Sequence, residues 1–184
     1  AYGNDQDASN WTYLPYGPFT NFVDFKTWMS KTCCGSDPHF HAVIDLKTEQ
    51  AVGIASLMRI EPAIGVIEVG HIHFSPLMQL TPISTEALYL LMKRVFDELG
   101  YRRYEWKCDS LNGPSCNAAK RLGFTPEGVF RQVTMYKNRN RDTAWFSIID
   151  SEWPALKAMF EAWLSADNFD PLGKQINSLH SFKG

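Results

Sequence analysis

The chain has 184 residues, enough for one domain with a full hydrophobic core, and its composition of 45% hydrophobic and 21% charged residues is ordinary for a folded soluble protein. A net charge of -2 argues against nucleic-acid binding, which depends on a basic surface. No apolar run approaches the length that crosses a membrane. We expect a single domain over residues 1–184, with a frayed end at 1–10 and a polar tail at 166–184. Four cysteines fit a reducing cytoplasm: Cys33, Cys34, Cys108 and Cys116.

The N-terminal part predicts an aromatic loop, one helix and three strands. Residues 11–19 combine aromatic side chains with Pro and Gly, which indicates a loop. Thr20 or Asn21 can cap a following helix that ends at Gly35, with an apolar side made of Phe22, Phe25, Trp28 and Met29. Strand-like segments follow at 39–46, 51–60 and 65–74, the first two as a hairpin and the third with a bulge at Gly70.

A strand–helix–strand step follows. Thr81 and Pro82 open a helix that ends at Gly100, because proline at the first helical position loses no hydrogen bond. The apolar stripe of this helix consists of Leu88, Leu91, Met92, Val95, Phe96 and Leu99. A strand at 101–108 comes next. Such a step implies a right-handed crossover and two parallel neighbouring strands.

The C-terminal part predicts two more helices around a hairpin. Ser115 caps a short helix at 115–122, which Gly123 closes, and Ser151 caps a last helix at 152–164. Between them lie two strands, 124–135 and 143–149, joined by the basic turn 137–141. The fold class is therefore α+β, with a mixed, mostly antiparallel central sheet and flanking helices.

The start of the middle helix is a candidate anion site. It offers backbone N–H groups at Ile83, Ser84 and Thr85, and hydroxyls at Thr81, Ser84 and Thr85. Unpaired amides at the positive end of a helix suit a pyrophosphate. The alternative is an ordinary capped helix.

The segment from Asn112 to Phe124 (NGPSCNAAKRLGF), taken with Gln79 and the crossover before it, resembles the GNAT acetyltransferases, and most closely their ribosomal-protein N-terminal acetyltransferase branch. The resemblance implies transfer of an acetyl group from acetyl-CoA to a primary amine, without a metal, and at family level a homodimer. It implies that Ser115 protonates the leaving sulfur. The residues that it would assign to acetyl-CoA binding are Phe74, Gln79, Thr81, Ile83, Ser84, Thr85, Asn112, Ser115 and Arg121.

The sequence departs from the family pattern in several places. The phosphate loop has the form Q/R-x-x-G-x-G/A, but Pro82 and Ser84 stand at the glycine positions. Ala119 replaces the tyrosine acid of many members, and Thr134 replaces the glutamate of the ribosomal branch. The family's usual first strand is not evident upstream of the hairpin. These departures keep a non-catalytic acyl-CoA-binding module open as the alternative, with an interaction protein as a third reading.

The candidates for the general base lie on the third strand. Strict alternation places His71 and His73 on one face and Glu68 on the other, whereas a bulge would bring Glu68 and His71 toward one site. Glu68 is the first choice for the base, and a structural hydrogen bond is its alternative. Arg141 and Asp142 could touch the acceptor or lie in a solvated turn.

Two metal readings are weaker. His71 and His73 lack a third ligand, and the set Cys33, Cys34, His39 and His41 lacks the usual spacing.

Overall fold

The computed structural model of the chain describes residues 8–183. Its helices are α1 (Phe22–Thr32), α2 (Pro82–Lys93), α3 (Gly113–Arg121) and α4 (Trp153–Leu164). Its strands are β1 (His39–Asp45), β2 (Gln50–Glu61), β3 (Val66–Phe74), β4 (Arg103–Asp109), β5 (Thr125–Tyr136) and β6 (Arg139–Ile149). Within the described residues, no helix combines the length and the apolar character needed to cross a membrane.

The six strands form one sheet in the order β1-β2-β3-β4-β6-β5. Among the strands of residues 8–183, only β3 and β4 pair in parallel, through the crossover that contains α2, and the other pairings are antiparallel. The predicted α+β class, the crossover and both hairpins are therefore confirmed. Within residues 8–183, no strand precedes β1.

The hydrophobic core lies between the sheet and helices α2, α3 and α4. The predicted stripe of α2 is buried except for Leu99, which is 48% exposed. The last part of this helix, Arg94–Glu98, is a π-helical turn that the sequence did not indicate. Helix α4 adds its own stripe at helical spacing: Leu156, Met159, Phe160 and Trp163.

Several helix ends differ from the prediction. Asn21 caps α1 as expected, but the helix ends at Thr32 rather than Gly35. Ser151 does not cap α4, because the N-cap position belongs to Glu152 and has no side-chain cap bond. The predicted turn at 137–141 is only two residues long, Lys137 and Asn138. Both have positive φ, as a tight hairpin turn matched to strand twist requires.

Both chain ends pack more closely than composition suggested. Leu179 is 1% exposed and belongs to the core, although it lies in the segment predicted as a polar tail. Asn168, 3% exposed, holds that segment in place through bonds to the backbone of Trp163 and Asn177. At the other end, Asn10 bonds to the Phe74 carbonyl. The remainder of the predicted frayed end, 1–7, lies outside the described residues.

Gly123, which follows α3, tests the packing of α4 on the sheet. Its φ is +93°, and an added Cβ would lie 2.5 Å from Leu156 Cδ2. Gly100 also has positive φ, +68°, but has open space around the Cβ position. We predict that Gly100→Ala loses about 1–2 kcal/mol of unfolding free energy through backbone strain. Gly123→Ala should lose about 1–3 kcal/mol more through overpacking. Urea unfolding measures both, and equal losses would contradict the close contact with Leu156.

Candidate active site

The carboxyl ends of β3 and β4 diverge and open a cleft in the middle of the sheet. The two strands pair only as far as Val69 and Trp106. Beyond that point β3 remains paired with β2 as far as Phe74, and β4 remains paired with β6 as far as Asp109. The two edges that face the cleft therefore carry backbone N–H and C=O groups outside the sheet ladder, and these groups can bind an extended ligand.

A β-bulge in β3 lies where the strands separate. The register of β3 against β2 shifts between Gly70 and His73, and His71 has a φ of 49°. The prediction of a bulged Gly70 was therefore one residue off. Gly70 is closely packed, and a Cβ there would require the flexible Met58 side chain to move. A non-glycine residue at positive φ is uncommon and is held in place by its surroundings.

The bulge places Glu68, His71 and His73 on the sheet face opposite the core. The core includes Ile67 and Val69 before the bulge, and after it Ile72 and Phe74 pack against the core. Along β3, the alternation of side chains between the core face and the opposite face therefore shifts by one residue at His71. Glu68 and His71 consequently share a face, as expected if this strand were bulged.

The His71 imidazole is held between aromatic rings. Its Nδ1 lies 3.0 Å from the Tyr16 hydroxyl, and its ring centroid is 5.0 Å from that of Phe40. Burial, helped by the positive charge of Arg59, lowers the pKa of His71 below its usual value. The ring is therefore neutral at pH 7 and able to accept a proton.

His73, two residues further along β3, is packed more tightly. It stacks on Trp11 with ring centroids 4.0 Å apart, and its buried Nε2 has no hydrogen-bond partner among residues 8–183. Burial lowers the pKa of His73 to about 4. Such a histidine is a weaker base than His71 near neutral pH.

Glu68 is 3% exposed and lies in a chain of alternating charges. Its Oε2 is 2.6 Å from Arg59 Nη1 and 2.9 Å from Lys107 Nζ. The Lys107 ammonium also lies 2.7 Å from Glu105 Oε2 and 3.9 Å above the Trp145 ring. Two cations therefore already share the Glu68 oxygen, which agrees with the structural alternative for this residue.

The hydroxyls at the start of α2 form bonds inside the protein. Thr81 Oγ1 donates to the Met78 carbonyl and Ser84 Oγ donates to the Thr81 carbonyl, both at 2.8 Å. Thr85 is buried, and its hydroxyl oxygen accepts from Arg121. Phosphate contacts from Thr81 and Ser84 would require these bonds to break. The backbone N–H of Ile83 has no partner among residues 8–183, whereas the Ser84 N–H donates to the Thr81 carbonyl.

Arg121 supplies a cation beside the same helix end. Its Nη1 lies 3.0 Å from Thr85 Oγ1, and its guanidinium is 5.4 Å from the centroid of the Trp163 ring. Burial lowers its pKa from the usual value. No carboxylate of the described chain forms an ion pair with it. A half-buried guanidinium of this kind is suited to an anionic ligand.

Gln79 fastens the loop between β3 and α2. Its Nε2 donates to the Phe74 carbonyl at 2.7 Å and to Asn10 Oδ1 at 2.8 Å. In this structure Gln79 therefore holds the end of β3, and Phe74 packs against the core below.

Asn112 and Ser115 lie at the carboxyl end of β4. Asn112 Oδ1 accepts from the Ser115 N–H, so Asn112 caps α3 and the predicted Ser115 cap is wrong. Because Gly113 and Pro114 occupy the first helical positions, Ser115 lies one turn too far along to cap. Its hydroxyl instead accepts from Trp106 Nε1 at 3.0 Å. Trp106 is the last β4 residue that pairs with β3, so Ser115 lies beside the opening of the cleft.

The N-terminal loop links the two sides of the cleft. Trp11 contacts His73, and its carbonyl accepts from Lys137 Nζ at 2.7 Å. The Tyr13 hydroxyl donates to the Leu111 carbonyl at 3.0 Å, just beyond β4. The sequence did not single out these loop and hairpin residues, because their roles depend on contacts about 100 positions apart. Their aromatic and basic character was the available signal.

Among the described residues, no group of His, Cys, Asp or Glu side chains is arranged to hold a metal ion. The histidine pair of β3 and the Cys33, Cys34, His39 and His41 set are therefore not assembled as ligand groups.

Similarity to known proteins indicates which family this cleft belongs to. The sequence model of the acetyltransferase (GNAT) domain matches residues 2–125. The chain belongs to the GNAT acetyltransferase family. Enzymes of this family use acetyl-CoA, and the chain is an acetyl-CoA-dependent acyltransferase. The hairpin of β5 and β6, apart from its first residue Thr125, lies beyond the matched range.

Two relatives illustrate the likeness. The crystal structure of a GCN5-related N-acetyltransferase from Brucella melitensis is 48% identical, with a TM-score of 0.96 over 99% of this chain and 84% of that one. The Bacillus subtilis (strain 168) protein named uncharacterized N-acetyltransferase YnaD is 25% identical over 152 residues, which is 83% of this chain and 87% of the relative.

Proposed function

We propose that this enzyme transfers the acetyl group of acetyl-CoA to a primary amine by direct attack within the cleft between β3 and β4. The observation that supports this most strongly is the divergence of the two strands after Val69 and Trp106, flanked by the bulge at His71 on one side and Ser115 on the other. The amine nitrogen attacks the thioester carbonyl carbon, the C–S bond breaks, and the CoA thiolate leaves. Alignment of the two reactants supplies much of the rate.

Acetyl-CoA would lie with its pantetheine along the open edges of the cleft and its pyrophosphate at the start of α2. The free amide of Ile83, the positive end of α2 and the guanidinium of Arg121 carry the positive charge there. Arg121 thereby compensates for Pro82, which has no N–H to donate. A backbone N–H of the bulged β3 segment would polarise the thioester carbonyl.

His71 is the base that the geometry favours over Glu68. The Glu68 carboxylate is shared by Arg59 and Lys107, whereas the His71 ring is neutral and contacts only uncharged rings directly. If Nδ1–H donates to the Tyr16 oxygen, Nε2 keeps its lone pair for the proton of the amine. Tyr16 would then fix the orientation of the base.

Ser115 is proposed as the proton donor to the leaving sulfur. Its oxygen already accepts a hydrogen bond from Trp106. Its hydroxyl also acts on a neighbouring sulfur, because burial raises the pKa of the Cys108 thiol to about 12 and a hydrogen bond from Ser115 opposes that rise. Donation to CoA would require only a rotation of the hydroxyl, which is free to turn. The ribosomal-protein branch, a cytoplasmic location and a homodimer stay predictions.

The cofactor site is tested by Arg121→Gln. Loss of a charged hydrogen bond to phosphate, about 1.5–3 kcal/mol, should weaken acetyl-CoA binding about 10- to 100-fold in a calorimetric titration. Lys120→Gln, at the exposed neighbouring position, is the control and should bind normally. Thermal unfolding without ligand checks that Arg121→Gln is folded. An unchanged Kd in the folded variant would exclude Arg121 from the site.

The base is tested by the pH dependence of turnover. The folded pKa of His71 is lowered, so the wild-type rate should fall only as the pH drops below about 6.5. His71→Asn keeps a residue type that tolerates positive φ and should lose about 10²–10⁴-fold in kcat. The decrease in rate at low pH should also be absent from this variant, while its affinity for acetyl-CoA is unchanged.

Glu68→Gln is the matched comparison, with folding checked by urea unfolding. If it loses activity while His71→Asn retains it, Glu68 is the base. If both retain activity, the amine loses its proton to solvent.

A further inference from the structure

Arg141 on β6 has a half-buried guanidinium that makes no hydrogen bond or ion pair with residues 8–183. Its Nε is buried and makes no hydrogen bond, and no carboxylate of residues 8–183 forms an ion pair with it. Its guanidinium carbon lies 5.8 Å from the centroid of the Tyr136 ring, and its charge also acts on the buried Cys108 thiol. Other arginines on this face have carboxylate partners: Arg59 pairs with Glu68, Arg103 with Glu105 and Glu127, and Arg139 with Asp109. Because a buried polar group without a partner is costly, this one is suited to a ligand.

Arg141 lies on the face of the sheet that carries His71. The core residues of β6 are Ala144, Phe146 and Ile148, so alternation turns Arg141 to the opposite face. Arg139, two residues earlier on the same face, bonds to Asp109 at the end of β4, and its guanidinium is 5.5 Å from the Tyr13 ring. Arg141 therefore follows, two residues later on the same face, the arginine that lies beside Tyr13 of the N-terminal loop.

The charges on this side of the cleft are unbalanced. Lys137 bonds to the Trp11 carbonyl and to no carboxylate of the described chain, so it adds a second unpaired cation. The carboxylate of Asp109 is bonded to Arg139 and Tyr136. Asp142 falls on the opposite face by alternation, and it accepts from the Gln132 N–H. An acceptor entering here meets positive charge that is not compensated.

We propose that the acceptor carries a carboxylate as well as the reacting amine, and that Arg141 binds this carboxylate. This rests on the proposed acetyl transfer in the cleft. The substrate class is then the free amino acid. A guanidinium pairs with a carboxylate through two parallel hydrogen bonds, which fixes the orientation of the amine toward the thioester. A polyamine would instead bring like charge to Arg141 and Lys137.

The test measures how fast the wild-type enzyme acetylates matched pairs of acceptors. Each free amino acid is paired with its carboxamide, and acetylated product is measured by mass spectrometry. The acid should be preferred by at least 10-fold in kcat/KM for the accepted side chain. Amidation makes the amine less basic and leaves more of it unprotonated, so a preference for the acid cannot come from a greater amount of nucleophile.

Variants identify the residue. Arg141→Gln should raise the KM for the amino acid about 10- to 100-fold and abolish the preference over the amide, with acetyl-CoA affinity unchanged. Arg141→Lys should keep part of the preference for the acid, because the positive charge remains but the two parallel hydrogen bonds are lost. Arg131→Gln, at an exposed position of β5, is the matched control and should behave as wild type.

The outcomes separate this inference from the proposed function. Amides or polyamines acetylated as fast as amino acids would overturn the inference and leave acetyl transfer intact. A 10-fold preference for peptides over free amino acids would also overturn it. Transfer to no amine of the panel, with acetyl-CoA bound, would contradict both.

Discussion

The structure depends on the separation of β3 from β4 after four residue pairs. While the strands remain paired, the sheet is continuous and has no room for a ligand. Once they part at Val69 and Trp106, backbone groups on two edges lose their ladder partners, and such groups must find others. The bulge at His71 adds one residue to β3 at this point and bends the strand away. The cleft is therefore a consequence of backbone geometry that neighbouring side chains stabilise.

Charge organises the face on which the acceptor is proposed to bind. Glu68 and Lys107 join β3 to β4 just before the strands part, and Arg59 joins β2 to the same carboxylate. A buried carboxylate with two cations is costly to disturb, so this network holds the paired part of the sheet together. The network also engages Glu68, which leaves His71 as the neutral, oriented group beside the cleft. Further along the face, Arg141 forms no ion pair within residues 8–183, in contrast to Arg59, Arg103 and Arg139.

Sequence patterns predicted much of the fold but only part of the candidate site. Apolar periodicity located α2, and the helix between two strands predicted the parallel pair. The last helix was predicted from a Ser151 cap that the structure does not contain. The caps were harder, because Asn112 and Ser115 are both good N-cap residues and only the backbone decides between them. Alternation could not locate the bulge to the residue. The contacts of Tyr16 and Lys137 join distant parts of the chain, so no local pattern could reveal them. The basic turn had already made Arg141 a candidate for touching the acceptor.

The most direct test of the account is amide hydrogen exchange with and without acetyl-CoA. If the cofactor occupies the cleft, exchange should slow at residues 70–75 of β3 and its following loop and at 83–85 of α2, while the exposed edge strand at 129–135 stays unchanged. Protection of residues 70–75 would support the divergent strands as the cofactor site. Saturating binding with protection elsewhere and none at 70–75 would contradict it.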